Sequence, residues 1–336
     1  DKIYIGESYV KYKLFSNTYL KTGKYYKDFS SYLNETLSSG SLLISNNAEP
    51  MPKIGLLSSY KFKQSQNFNF NFGISHGLFA KSAIYKTPPM LHEKFVYLNY
   101  SKNQNDFGIG FVHEAMWGGS TDEDGKFSTS YKDFLKIFIS ADGPLLDGQP
   151  HANALGNHLG IWDFYYKKTV NNKELKFYYQ HFFEDTSGLR FDNKSDGLWG
   201  IELSNYTKNT NILLEYLNTM NQDRNPPYVN ENYYNHFEYQ EGWSYKGYSL
   251  GNPFINHTNN NPSKVLHLGV NRNGINKYSY RLLASRRINL SDHIKYQISI
   301  GKMINELLIG VVFTGEKNMN NNVTLKISYS PIMKAR

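Results

Sequence analysis

The feature that most constrains this chain is the run Asn67-Phe68-Asn69-Phe70-Asn71-Phe72-Gly73-Ile74, in which polar and apolar side chains strictly alternate. Successive side chains of a strand point to opposite faces, so this order puts phenyl rings on one face and amides on the other. A helix repeats its faces every 3.6 residues and cannot sort them this way. The fold must therefore offer this sheet an apolar surrounding on one side and a wet one on the other.

The same pattern recurs along the chain. Val96, Leu98 and Tyr100 alternate with Tyr97 and Asn99, while Phe107, Ile109 and Phe111 alternate with Gly108 and Gly110. Leu175, Phe177 and Tyr179 oppose Lys176 and Gln180, and Trp199, Ile201 and Leu203 oppose Glu202 and Ser204. In the C-terminal third, Tyr280, Leu282 and Ala284 oppose Arg281 and Ser285, and Ile294, Ile298 and Ile300 oppose Lys295, Gln297 and Ser299. Leu307 to Phe313 and Val323 to Tyr329 repeat the pattern. Short links rich in Asn, Gly, Ser and Asp join many segments: Asn171-Asn172, Lys208-Asn209, Asn273-Gly274, Ser291-Asp292, Met303-Ile304-Asn305 and Asn318 to Asn322. Longer excursions fall at roughly 28–51, 114–157, 184–197 and 218–262. A soluble sandwich shares the alternation, but short turns opposite long loops are the pattern of a membrane β-barrel, with periplasmic turns and external loops.

Composition points the same way. There are 28 Tyr and 21 Phe, 16% aromatic residues in all, yet the mean hydropathy is -0.58. Aromatic girdles around a short apolar band, enclosing a polar lumen, produce that combination. No stretch approaches the roughly 18 consecutive apolar residues of a membrane helix. At about 10 residues per tilted strand and a similar allowance per connection, the chain has room for about 14 to 18 antiparallel strands. With no internal repeat or linker, residues 1–336 read as a single outer-membrane β-barrel domain. The chain opens at Asp1 rather than Met, which leaves room for further N-terminal residues in the full precursor. The absence of Cys excludes disulfides and thiolate chemistry. The net charge of +8 is dispersed, with Arg286-Arg287 and Lys61-Lys63 the densest groups, so no nucleic-acid partner is expected. Outer-membrane lipid, lipopolysaccharide or an acidic glycan supplies an equally good counter-charge.

Several stretches, taken together and in order, resemble the capsule assembly Wzi family of outer-membrane proteins in its Bacteroidetes form. They are Ser39 to Ile54, with Ser-Leu-Leu, Ser-Asn-Asn-Ala and Pro-x-Pro; His113 to Gly119; Ala154 to Gly160; Tyr178 to His181 with Glu184-Asp185; Asp196 to Gly200; Glu215 to Thr219; and Tyr233 to His236. The resemblance is clear over roughly 35–260 and is only barrel pattern elsewhere. It implies a bacterial outer-membrane barrel, eighteen-stranded in the characterised member, that attaches or assembles capsular or extracellular polysaccharide without catalysis. The characterised member also has an N-terminal helical bundle, and nothing before residue 30 reads as one. The rival reading is a porin-like channel, or a scaffold subunit in an uptake or secretion complex with other envelope proteins.

Candidate chemistry is sparse. His113, Glu114 and Asp122, or His158 and Asp163, lack the spacing of a zinc site, and Thr121 to Gly125 lacks the acidic spacing of an EF-hand. No metal, cofactor or catalytic residue is expected. Glycan binding asks less, because an aromatic face packs on a pyranose while amides and acids bond its hydroxyls. Candidates are Trp117, His113, Tyr233, Tyr234, Asn235, His236 and Trp243, the last accompanied by Tyr245 and Tyr248. Asp163, Lys176, Gln180, Glu184, Glu202, Glu215, Arg281, Arg287 and Lys295 are expected to form a polar network in the lumen, paired because isolated charges there are costly.

Overall fold

The computed structural model describes residues 6–62, 65–145, 154–184, 189–207, 209–222, 232–275, 278–289, 293–304, 307–317 and 321–329. The expected links at Lys208, Ser291-Asp292, Asn305 and 318–320 lie outside the described residues.

The strands in chain order are β1 (Ser8–Phe15), β2 (Thr18–Tyr25), β3 (Met51–Lys61), β4 (Phe68–Leu78), β5 (Tyr85–Thr87), β6 (Met90–Lys102), β7 (Asn105–Trp117) and β8 (Ser120–Thr121). After the helix α1 (Tyr131–Ile139) follow β9 (Asn157–Val170), β10 (Lys173–Phe183), β11 (Gly197–Ser204), β12 (Thr210–Asn218), β13 (Ser244–Tyr245) and β14 (Tyr248–Ser249). The last five are β15 (Lys264–Ile275), β16 (Tyr278–Arg287), β17 (His293–Ile304), β18 (Leu307–Glu316) and β19 (Asn322–Tyr329). Fifteen of them form one antiparallel sheet, in chain order from β1 to β19 with β5, β8, β13 and β14 left out. That number falls inside the 14 to 18 expected. The four short strands pair among themselves, β5 with β8 and β13 with β14.

Connections alternate in length around the sheet. Two residues separate β6 from β7 and β9 from β10, and in both turns the pair has positive φ: Asn103 at 50° and Gln104 at 64°, Asn171 at 49° and Asn172 at 63°. Such turns match the twist of the strands they join, and Asn tolerates the left-handed region. Along the opposite rim, β2 to β3, β7 to β9, β10 to β11 and β12 to β15 are joined by long segments.

The outward face is a belt of exposed apolar side chains that runs across paired strands. Leu56, Phe72, Leu98, Ile109, Phe177, Leu214, Leu268, Leu282, Ile300, Phe313 and Leu325 are each more than a third exposed. A continuous apolar face of this breadth fits hydrocarbon rather than water. No helix among the described residues is long and apolar enough to cross a membrane. The inward face carries the polar partners: Asn69 and Asn71 share it with Ser59, to which Asn69 is bonded at 3.1 Å, while Asn67 lies just before β4. Gly108 and Gly110 also face inward, where a Cβ would meet the Tyr165 and Tyr97 rings at 2.0 and 2.2 Å. Their bareness lets those tyrosines lie against the wall.

One of the long excursions departs from its expected place. The segment between β2 and β3, read from the sequence as part of an external loop at 28–51, turns inward and fills the barrel beside the wall. Its Leu37, Leu42 and Leu43 are fully buried among Tyr178, Phe182, Leu198, Leu213 and Leu217 of the wall. Its Ser- and Asn-rich backbone finds hydrogen-bond partners on the polar inward faces of the strands, so a composition suited to water also suits this lumen.

Candidate functional site

The inserted segment, residues 26–50, is fixed to the wall strand by strand. Asp163 of β9 accepts hydrogen bonds from Ser30 Oγ and Tyr97 Oη, each at 2.5 Å, and from Tyr32 Oη. Gln180 of β10 accepts the Leu42 N–H at 3.0 Å and donates to Ser30 Oγ at 2.9 Å. Lys176 Nζ donates to the Tyr32 carbonyl at 2.7 Å and to Glu202 of β11 at 2.8 Å, and Asn34 Nδ2 donates to the other Glu202 oxygen at 2.6 Å. Glu215 of β12 accepts the Ser38 hydroxyl and the Ser39 N–H, both at 2.6 Å, and the Tyr178 hydroxyl. His267 of β15 lies 2.6 Å from the Leu37 carbonyl. Buried carboxylates so placed are stabilised as acceptors of several donors, each charge-assisted bond contributing about 1.5–3 kcal/mol.

Over this plug lies a cap from the β12–β15 connection. Tyr234 Oη donates to the Leu42 carbonyl at 2.5 Å and accepts the Asn252 N–H at 2.7 Å, and Trp243 Nε1 donates to the Leu43 carbonyl at 2.8 Å. Asn252 Nδ2 donates to the Gly40 carbonyl at 2.8 Å, and Asn47 Nδ2 to the Ser249 carbonyl at 2.8 Å. Tyr233 stacks on Phe182 at 4.1 Å and donates to Asp196 at 2.9 Å. Burial pushes the Asp196 carboxyl above its ordinary value, against bonds from the Asn221 side chain and backbone, both at 2.8 Å, and from Tyr233. Burial holds the His236 imidazole down at about 3, with His158 a lesser cause, so His236 Nδ1 is available to accept from the Glu238 and Tyr239 N–H groups. The stretches Ser39 to Ile54, Tyr178 to His181, Asp196 to Gly200, Glu215 to Thr219 and Tyr233 to His236, far apart in the chain, thus meet at the plug and its cap.

Between plug, cap and the wall of β15 to β18 an open cleft remains at the long-loop rim. Its volume is about 610 Å³, lined by Ser38, Asn46 and Asn47 of the plug, Pro253 and Phe254 of the cap, and His267, Ser285, Lys295, Gln297 and Glu316 of the wall. A second hollow of about 390 Å³ shares Asn47, Phe254, Lys295 and Glu316 and adds Tyr248, Asn256, His257 and Arg287. Tyr248 is 59% exposed, and the Arg287 guanidinium donates to the Phe254 carbonyl. Lys295 reaches Glu316 at 3.5 Å with its side chain 53% exposed, and its ammonium stands 5.9 Å from the Phe254 ring. Aromatic faces, amides and cations together are the chemistry that holds an acidic sugar.

The sequence candidates are spread over the plug, the cap, the cleft, the β10–β11 loop and the outer wall. Asp163, Lys176, Gln180, Glu202 and Glu215 hold the plug, and Arg281 lies 3.4 Å from the Thr36 carbonyl, Gln297 and Ser299. Glu184 is in the β10–β11 loop, where it accepts from Gln222. Arg287 and Lys295 line the cleft. Tyr233, Tyr234 and Trp243 are at most 2% exposed, and Asn235 bonds Asn260 beside them. His113 lies on the outer wall, 2.9 Å from His158, and Trp117 packs on Phe134 of α1. Phe254, Asn46 and Asn47 were not singled out as binding groups. Their only signal in the sequence was a set of amides and a ring in two loops that the linear order does not join.

The chain matches the family model described as capsule assembly protein Wzi over residues 1–328. Among solved structures it is similar to Wzi of Escherichia coli, an outer membrane protein involved in group 1 capsule assembly and a carbohydrate-binding β-barrel, at 18% identity and a TM-score of 0.59, over 94% of this chain and 67% of that one. A variant of the Rh. blastica porin aligns at 8% identity over 93% of this chain and 97% of that one, with a TM-score of 0.37. No curated protein matches the chain.

Proposed function

Because this chain belongs to the capsule assembly Wzi family, we propose that it is a non-catalytic barrel of the bacterial outer membrane that holds capsular or extracellular polysaccharide at the cell surface, and that the glycan docks in the rim cleft. The observation that carries this reading is the cleft itself, lined by Asn46, Asn47, Phe254 and Lys295, with the second hollow, which shares Asn47, Phe254 and Lys295, adding Tyr248 and Arg287. Of the carboxylates singled out from the sequence, Asp163, Glu202 and Glu215 on the inward faces and Glu184 in the β10–β11 loop are each occupied as hydrogen-bond acceptors, which favours binding over chemistry. The rival channel reading is disfavoured by the plug, which occupies the interior against β6 and β9 to β12. A polysaccharide bound through several weak sugar contacts gains by multivalency rather than by one deep pocket.

The test is binding of the purified, detergent-folded protein to capsular polysaccharide from the same cells, followed by calorimetry or co-sedimentation, with Arg287→Ala and Lys295→Ala alongside. Each variant should weaken binding of an acidic glycan about tenfold, the equivalent of one charge-assisted bond. Wild-type protein that fails to bind the glycan, together with unchanged capsule retention in a deletion strain, would sink the reading. Ohmic conductance of the reconstituted protein in a planar bilayer would instead favour the channel.

A further inference from the structure

The helix α1 stands outside the barrel wall rather than over its mouth. It is nine residues long, a length at which an isolated helix is marginal in water, so its persistence needs external contacts. Its ends are capped: Ser130 Oγ accepts the Asp133 N–H at 3.1 Å, and Ser140 closes the helix in the left-handed region at φ 54°. One face is bound to the wall. Phe134 packs on His76, His92 and Trp117 with ring centroids 5.7, 5.6 and 5.2 Å away, and Ile137 is 2% exposed. Ser140 Oγ lies 2.8 Å from His113 Nε2, and Lys94 Nζ donates to the Phe138 carbonyl.

The opposite face is a stripe at i, i+4 and i+8: Tyr131, Leu135 and Ile139, exposed by 76, 46 and 72%. In water such a stripe is unfavourable, and no described segment covers it. It is also continuous with the lipid-facing belt. His92 and Lys94, beneath the helix, are outward residues of β6, and Leu98 on that strand and Ile109 on β7 carry the belt onward from them. The helix therefore sits at the upper margin of the apolar belt on the long-loop side. Lys132 flanks the stripe and is exposed, while Lys136 turns back to the Asp142 carbonyl at 3.0 Å. An apolar face rimmed by lysine at the margin of a membrane belt matches a helix lying in the interface plane.

We propose that α1 is an interfacial anchor whose Tyr131, Leu135 and Ile139 face insert among the acyl chains just below the headgroups of the outer leaflet. Its occupant is the lipid of the bilayer that the barrel itself spans. The anchor would fix the depth of the β7–β9 rim, and with it the height at which the cleft stands above the membrane.

The natural absence of Cys makes single-site labelling direct. Ile139→Cys and, as a second variant should one fold poorly, Leu135→Cys are nitroxide-labelled and reconstituted in vesicles of phosphatidylethanolamine and phosphatidylglycerol. Accessibility to oxygen and to a water-soluble nickel chelate is then compared with Lys126→Cys in the loop and Ile298→Cys on the outer face of β17. The proposal expects both helix labels to favour oxygen, as Ile298→Cys does, at a shallower depth. Nickel accessibility equal to that of Lys126→Cys would overturn it by placing the face in water. Exclusion of both reagents would overturn it as well, by showing that a second protein surface covers the helix.

Discussion

Two arcs of the same sheet treat their inward polar residues in opposite ways. Along β6 and β9 to β12, Asp163, Lys176, Gln180, Glu202 and Glu215 are at most 5% exposed, and each is bonded to the plug. Along β16 to β18, Arg281, Lys295, Gln297 and Glu316 keep more exposure and looser geometry, with Lys295 and Glu316 3.5 Å apart. The alternation that builds the two arcs is the same. The difference lies in the length of the connections at the rim: residues 288–292 join β16 to β17 and 317–321 join β18 to β19, whereas residues 26–50 join β2 to β3. An inward polar row becomes a fastening where the plug meets it, and the wall of an open cleft where it does not.

That contrast can be broken most severely at Glu202. Replacement with Leu leaves the buried Lys176 with only the more distant Glu174, 3.9 Å away, as a carboxylate partner, which should cost about 3–5 kcal/mol of stability in detergent, measured by thermal or urea unfolding. The matching change on the other arc, Glu316→Leu, should shift stability by less than about 1 kcal/mol, because the Lys295 that it meets at 3.5 Å is half solvated. Equal losses at the two sites would erase the distinction between the arcs.

A smaller effect is expected at the seam between plug and cap. A Cβ at Gly251 would fall 2.2 Å from the Leu42 carbonyl oxygen, a backbone atom with little room to move. Gly251→Ala should destabilise by about 1–3 kcal/mol and raise the rate at which added protease cuts residues 26–50. Tyr234→Phe removes the bond to the same carbonyl and should cost about 1–2 kcal/mol, with the ring's packing kept.

The smallest effect concerns pH and sharpens the comparison, since it touches the cap and leaves the β16 to β18 arc alone. His236 has a folded value of about 3, depressed by burial below the ordinary 6.5. The cap stability it contributes is complete above about 6.5 and is lost as the pH falls from there towards 3. Proteolysis of residues 232–263 should therefore accelerate on acidification through that window, and His236→Gln should flatten the response. A profile unchanged by that substitution would remove His236 from the account.

Much of the barrel was legible because its signal is local and periodic. Phe68, Phe70 and Phe72 alternate with Asn69 and Asn71 in any register, and the strand count followed from length and hydrocarbon thickness. The Asn171-Asn172 turn was legible for a similar reason, since few residues accept positive φ at two consecutive positions. The candidate site was less so. Ser30, Ser38, Ser39 and Ser41 carry the same composition whether a loop stands in water or folds into a polar lumen, and only the wall decides. Tyr233, Tyr234 and Trp243 read as sugar platforms, but a ring with a polar tip is equally suited to bury its face and bond a carbonyl, as each of them does except Tyr233, which bonds a carboxylate.

By itself, then, the sequence determined the period-two faces, the all-β membrane architecture and the family, because each is written in neighbouring residues or in ordered motifs. Only the tertiary structure decided which excursion plugs the barrel, which carboxylates fasten it and where the open cleft lies. Those outcomes depend on contacts such as Ser30 with Asp163 and Leu42 with Tyr234, between residues more than a hundred positions apart. Their energies exist only once the sheet has curved enough to bring the partners together.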